Sequence, residues 1–504
     1  MRLHNQAVAQ WPKLAWTAQI TAGSEEVEVL HGRMVETTDR WIVEAAWDKD
    51  FTSGDFDETD LVFGTGIRIR KGRAVFVSSG TVFDRLVYCR LDGSLHVSNS
   101  LPALLAVTGL DLRDDYPAYS GDVRSIMRGL TARVRTIPTT GPEVTSVFYN
   151  NLVWSDGQLR EVEKADTAPE FRSYVQYREY LRERAEGIGR NARDPRRRYS
   201  VELLSSISSG YDSTATSVIA RDAGCDRTVT IRESSSFWRG SDSGKPIADI
   251  LGMSCEEYPR RAQDYPLEEA FWAAEGRAGI LNWSQFDFPE PLCLFFTGCH
   301  GEKMWDRVDH DHPDPFVRRD PSSLGFCEFR LQKGVFQCVV PFWGVRHSKE
   351  LRAITLSDEM QPWYMNRDHD KPIARRIVET EGVARGMFGV LNKNTSLEEP
   401  FLWPYSQRAR ERFGEYLRKG GVRPYEHWTV VLFRRMAHYS NLLYQNSFKK
   451  LGLHRWWRPW RRSKARGLLF QWANHELKRK YAEELAGRRA IEALGPGCPD
   501  ESNV

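Results

Sequence analysis

The run Leu292-Cys293-Leu294-Phe295-Phe296 constrains the fold more than any other stretch of the chain. It is too short for a buried helix and offers no polar residue to water, so as a strand it needs apolar cover on both faces. A parallel sheet flanked by helices provides that cover. From Tyr199 onward the sequence alternates strand and helix signals in the way such a sheet requires. Residues 201–207 are predicted as a first strand. A helix over 212–223 follows, with Ala215, Val218 and Ile219 on one face and Gly224 as its stop. Residues 228–231 make a second strand, 246–251 a helix ended by Gly252, and 255–258 a third strand.

The first 165 residues read differently. Short β-type runs such as Trp41-Ile42-Val43, Ile67-Arg68-Ile69 and Leu86-Val87-Tyr88-Cys89 are separated by turn signals, among them Lys71-Gly72 and Asp92-Gly93. This is a mostly β domain. A charge-rich helix with Tyr174, Tyr177, Tyr180 and Leu181 spaced for one face then serves as a connector. Past Ser348 the chain is mainly helical. The expected division is therefore 1–165, a connector over 166–198, an α/β domain over 199–405 and a basic helical region over 406–504.

Composition narrows the function classes. Of 504 residues 41% are hydrophobic and 28% charged, which supports packed domains over disorder. A formal net charge of +3 does not call for whole-chain attraction to nucleic acid or anionic membrane, although a local basic patch stays open. No apolar run reaches membrane-spanning length and the first residues lack an apolar leader, so a cytoplasmic protein without a membrane partner is expected. Eight cysteines are scattered without a C-x-x-C pair, which argues for reduced thiols over a zinc ribbon or disulfide framework.

The chemistry concentrates in Ser208-Ser209-Gly210-Tyr211-Asp212-Ser213, between a predicted strand and a predicted helix. Small residues there let backbone N–H groups approach an anion, and the helix dipole favours its charge. Asp212 repels bare phosphate but can hold Mg²⁺ against it. An ordinary strand-to-helix turn capped by Ser and Asp accounts for the hexapeptide equally well.

The hexapeptide resembles the S-G-G-x-D-S loop of the N-type ATP pyrophosphatases (PP-loop enzymes), with Ser209 in place of the first glycine. Other stretches follow in the order found in the asparagine synthetase group, which includes β-lactam synthetase and the lasso peptide cyclases. Asp242 through Gly252 is similar to D-x-x-x-A-x-x-x-A-x-x-L-G. Thr297-Gly298-Cys299-His300-Gly301-Glu302-Lys303-Met304-Trp305 is similar to the second phosphate and metal loop, Val340-Pro341-Phe342-Trp343 to V-P-F-L, and Lys371 to Arg376 with Phe388 to Lys393 to K-x-x-L-R through R-x-K. Gly93 through Leu105 resembles the end of the family's glutaminase domain. The fold implied is an α/β chain: a mostly β, glutaminase-like (Ntn-type) domain, then a parallel-sheet (HUP-like) synthetase domain with a helical C-terminal region.

The resemblance implies ATP and Mg²⁺ as cofactors. A small-molecule or peptide carboxylate would be adenylated, and ammonia or an amine would then displace AMP. Asp212 and Glu302 fall on the metal-carboxylate positions. Ser208, Ser209, Gly210, Ser213 and Gly298 belong to the phosphate loops, Ile231 would lie near adenine, and Lys393 matches the catalytic lysine that stabilises developing negative charge. Two departures stand out. The second residue is Arg2, where a glutaminase of this family has a cysteine, so glutamine hydrolysis is not expected. Cys299 occupies the place of a residue that helps deprotonate the amine; the thiol itself or adjacent His300 are the candidate bases. The dense run from Asp306 to Asp314 reads as a solvated lid in preference to a metal site, and the Arg/Trp stretch 455–462 as packed Trp with snorkelling Arg. An RNA-modifying PP-loop enzyme and a degenerate nucleotide-binding protein are the alternative readings; nucleic acid is not the favoured partner, and a homodimer is left open.

Overall fold

The structure, a computed structural model, describes all residues except 234–240, 261–263, 276–277, 308–313, 319–323, 367–368, 390–400, 445–464 and 494–504. The N-terminal half is built from β1 (Arg2–Ala7), β2 (Trp16–Thr21), β3 (Glu26–His31), β4 (Glu36–Thr37), β5 (Trp41–Trp47), β6 (Val62–Arg70), β7 (Arg73–Val77), β8 (Leu86–Leu91), β9 (Ser94–Ser98), β10 (Thr136–Ile137), β11 (Val144–Val147), β12 (Asn151–Ser155) and β13 (Gln158–Val162). They form a seven-stranded sheet in the order β1-β3-β2-β9-β8-β11-β10 and a six-stranded sheet in the order β13-β12-β7-β6-β5-β4. All pairs are antiparallel except β1 with β3. The sheets pack face to face, Trp16, Ile20 and Val29 of one meeting Ile42, Phe76 and Trp154 of the other in a single apolar cluster.

The second half carries β14 (Val201–Ser206), β15 (Arg227–Ile231), β16 (Ser254–Tyr258), β17 (Leu292–Thr297) and β18 (Val335–Val339), all parallel, in the order β16-β15-β14-β17-β18. The chain is thus a mixed α/β protein. The apolar run lies in β17, between β14 and β18, and every residue of that strand is buried. Its alternation sends Leu292, Leu294 and Phe296 into one apolar cluster and Cys293 and Phe295 into another on the opposite face. Edge strand β16 has exposed and half-buried residues only. β18 was not among the predicted strands.

The halves are not beads on a string. The helix Tyr174–Ala192, capped by the Ser173 side chain accepting from the Gln176 amide, buries Tyr177, Tyr180, Leu181 and Ile188 and packs against β5 on one side and β14 on the other. The helix Phe326–Lys333 drives Arg330 into the N-terminal half. Its Nη1 and Nη2 donate to Glu44 at 2.7 and 3.0 Å and its Nε to Asp84 at 2.6 Å. All these side chains are at most 1% exposed. Glu44 also accepts from Thr65 at 2.6 Å and Asn99 at 3.1 Å. Two residues earlier Glu328 accepts from the Ser100 hydroxyl and the Leu101 amide. The last helix, Ala465–Ala493, returns to pack on the helix Leu101–Thr108. Residues 455–462 lie outside the described residues.

Candidate functional site

Adjacent strands β14 and β17 run parallel, so the loops leaving them open at the same edge of the sheet, where open α/β sheets hold ligands. The first loop is stiffened from within. The Thr214 hydroxyl donates to the Ser208 and Gly210 carbonyls at 2.8 and 2.6 Å, and the Ser208 and Ser213 hydroxyls meet at 2.7 Å. Ser209, which replaces a glycine of the resemblance, donates its hydroxyl to buried Asp242 at 2.7 Å, while its amide donates to the Asp242 carbonyl at 3.1 Å. The serine therefore anchors the loop from behind. The helix Tyr211–Asp222 begins at extended Gly210, which as N-cap makes no side-chain cap bond, and its positive end faces the same edge of the sheet.

Asp212 stands in the first turn of that helix. The second loop is pressed against it. A Cβ on Gly298 would lie 2.6 Å from the Asp212 carbonyl carbon, and one on Gly301 would lie 2.3 Å from its carboxyl carbon and 2.4 Å from Oδ1. Only glycine permits this approach. Asp212 Oδ2 accepts from Lys371 Nζ at 2.6 Å, and both side chains are largely withdrawn from water, at 22% and 8% exposure. Glu302 follows Gly301 on the short helix Gly301–Met304 and is half-buried. Past it, Trp305 Nε1 donates to the Tyr177 hydroxyl of the connecting helix at 3.1 Å, which fixes the second loop to the body of the protein.

Among the described residues no group of three or more His, Cys, Asp or Glu side chains forms a metal cage. A pair of carboxylates on facing loops beside small-residue backbone is instead the donor set that suits Mg²⁺ arriving with phosphate and water ligands, so the residues present fit the group.

Tyr211 links this site to a third segment. Its hydroxyl accepts from Arg375 Nη2 at 2.6 Å; Arg375 is fully buried on the helix Pro372–Glu379 and lies 5.0 Å from the ring centres of Tyr211 and Phe388. Gly389 donates its amide to the Ser209 carbonyl at 2.9 Å, with φ of +63° and no room for a Cβ beside the Tyr211 ring. Immediately beyond it residues 390–400, and with them Lys393, lie outside the described residues.

The remaining candidates divide. Cys299 is half-buried on the second loop and packs against the core. His300 is 3% exposed at φ of +76°, with its ring centre 4.6 Å from that of Phe342. Burial pushes its pKa down to about 3, with nearby Arg318 and Lys303 acting in the same direction. The ring is neutral at ordinary pH and packs like an aromatic. Ile231 is buried at the end of β15, 8% exposed. Of the acidic run, Asp306 is buried with His369 Nδ1 3.6 Å away, and Asp314 accepts from the Thr131 and Phe316 amides, while residues 308–313 lie outside the described set. Sequence reading gave Lys371 no role of its own; its only signal was its place at the head of the K-x-x-L-R-like stretch.

Compared with models of known protein families the chain matches none, and no curated protein matches its sequence. No described helix is long and apolar enough to cross a membrane.

Proposed function

We propose that the protein is an ATP-dependent, AMP-forming ligase of the asparagine synthetase type that joins a carboxylate to ammonia or an amine without hydrolysing glutamine. The observation that carries this reading is the convergence of two loops from adjacent parallel strands on one carboxylate, Asp212, beside an uncapped helix start and a buried lysine. Such an arrangement suits a polyphosphate with its cation.

Asp212 and Glu302 would hold Mg²⁺, which neutralises phosphate charge when bound. Ser208, Gly210 and Ser213 would donate to the departing pyrophosphate, and Lys371 adds a cation at the same edge. The substrate carboxylate oxygen attacks the α-phosphorus and the bond to pyrophosphate breaks. The amine nitrogen would then attack the acyl carbon, AMP leaving with the acyl–oxygen bonding electrons and the amine's proton passing to solvent. The buried, neutral His300 is assigned no proton transfer, since a base of pKa about 3 takes up a proton poorly at neutral pH.

The test is pyrophosphate release from MgATP across a panel of carboxylic acids, with and without ammonia. One acid should stimulate release, and Asp212→Asn and Glu302→Gln should each lower it by about a hundredfold or more. Both variants releasing pyrophosphate at the wild-type rate would remove the ligase reading. ATP binding without turnover for any acid would instead favour a nucleotide-binding protein.

A further inference from the structure

The contact between Lys371 and Asp212 has an implication for the order in which ligands enter. Both carboxylate oxygens of Asp212 are covered: Oδ1 faces the Gly301 backbone, where a Cβ would lie 2.4 Å away, and Oδ2 holds Lys371 Nζ at 2.6 Å. A divalent ion needs an oxygen at about 2.1 Å. At Oδ2 it competes with the ammonium already bound there, and two cations on one carboxylate that is largely withdrawn from water repel each other strongly. The lysine is not free to swing into solvent, since it is 8% exposed and heads the buried helix Pro372–Glu379. Something negative must draw it away.

We propose that Lys371 is a placeholder cation, keeping metal off Asp212 until a nucleotide's phosphates arrive to take the ammonium, so that the metal enters only together with ATP. This rests on the ATP-binding reading above. The charge balance is simple: the ion pair Asp212–Lys371 is neutral, and MgATP brings a cation for the carboxylate and phosphate oxygens for the lysine. A lone divalent ion supplies only the first. Lys371 meets the phosphates directly in this role, and the consequence is strong positive coupling between metal and nucleotide.

The probe is Mn²⁺ alone, followed by electron paramagnetic resonance as the signal of the free ion is lost on binding, with and without a non-hydrolysable ATP analogue. Wild-type protein should bind Mn²⁺ weakly alone and at least about tenfold more tightly with the analogue. Lys371→Gln should bind Mn²⁺ alone about tenfold more tightly than wild type, with the coupling to nucleotide reduced towards none. Lys371→Arg, which keeps a cation, should stay near wild type. Adding Asp212→Asn to Lys371→Gln should erase the gain and so assign it to that carboxylate. Lys371→Met, of similar length without charge, replaces Lys371→Gln if the latter does not fold. Unchanged affinity for Mn²⁺ alone in the folded neutral variants would overturn the proposal. Failure of the wild type to bind the analogue at all would instead overturn the ATP reading, and the two results are separable because the first needs no nucleotide.

Discussion

His300 shows how a single side chain changes meaning once its surroundings are known. In the sequence it stands beside Cys299 in a loop expected to carry a base. In the structure it is buried against Phe342 with its pKa pushed down to about 3. An imidazole depressed in the folded state is protonated more readily when unfolded, so its contribution to stability is complete above pH 6.5 and is lost as the pH falls from 6.5 towards 3, at up to about 1.4 kcal/mol per pH unit. Chemical denaturation across pH 3–8 should show this slope in the wild type, and His300→Asn, which tolerates the left-handed backbone, should show a shallower one. Equal slopes would place the imidazole in water. Asp212 and its serine neighbours stood out in the sequence because a cluster of small residues between a strand and a helix signal marks a candidate anion loop, and the structure places that cluster between β14 and the helix Tyr211–Asp222. The Lys371–Asp212 pair did not, since its partners are 159 positions apart and no short-range pattern encodes their meeting. Ser209 lies between these cases: the substitution is visible in the sequence, while its compensating bond to Asp242 appears only in three dimensions.

At the level of elements, β17 was the most readable because its run of apolar residues admits one environment. β18 carries the same burial but sits directly after a helix with only Gly334 between them, so no turn cluster announced it. The connecting helix was predicted from its tyrosines, and those tyrosines are what it buries. The helices Tyr211–Asp222 and Pro372–Glu379 pack together, and beside the Lys371–Asp212 contact at the head of the second a buried polar bond joins them, Arg375 donating to Tyr211. Tyr211→Phe keeps the ring and removes that acceptor from a fully buried guanidinium, whose other acceptors are Glu379 Oε1 at 2.8 Å and the Arg385 carbonyl at 3.4 Å. The expected cost is about 1–3 kcal/mol in urea unfolding, with the unfolding slope unchanged. A loss below about 0.5 kcal/mol would mean that the remaining acceptors absorb the change.

For the whole molecule, the mixed α/β class and the change of character between the halves could be read from patterning, whereas the way the halves lock together could not. Arg330 lies on an α/β helix yet finds its carboxylates, Glu44 and Asp84, on the N-terminal sandwich. Arg330→Met should destabilise the protein by about 3–5 kcal/mol, because it strands buried carboxylates without their cation. Replacing Arg330, Glu44 and Asp84 together by apolar residues of similar volume should recover much of that loss. Calorimetric melting of the single and triple variants distinguishes this from simple loss of packing, for which the triple variant would be no better than the single.

That buried guanidinium also bears on inheritance. A gene that shed the N-terminal sandwich would keep the parallel sheet and the loops that follow β14 and β17. It would also leave Arg330 on the bared face of the parallel-sheet half, together with Glu328 and the apolar surface of β18 that now packs on β5 and β6. Deleting the sandwich therefore requires several compensating substitutions at once, so descent by single changes can alter its exposed residues far more easily than it can remove its fold.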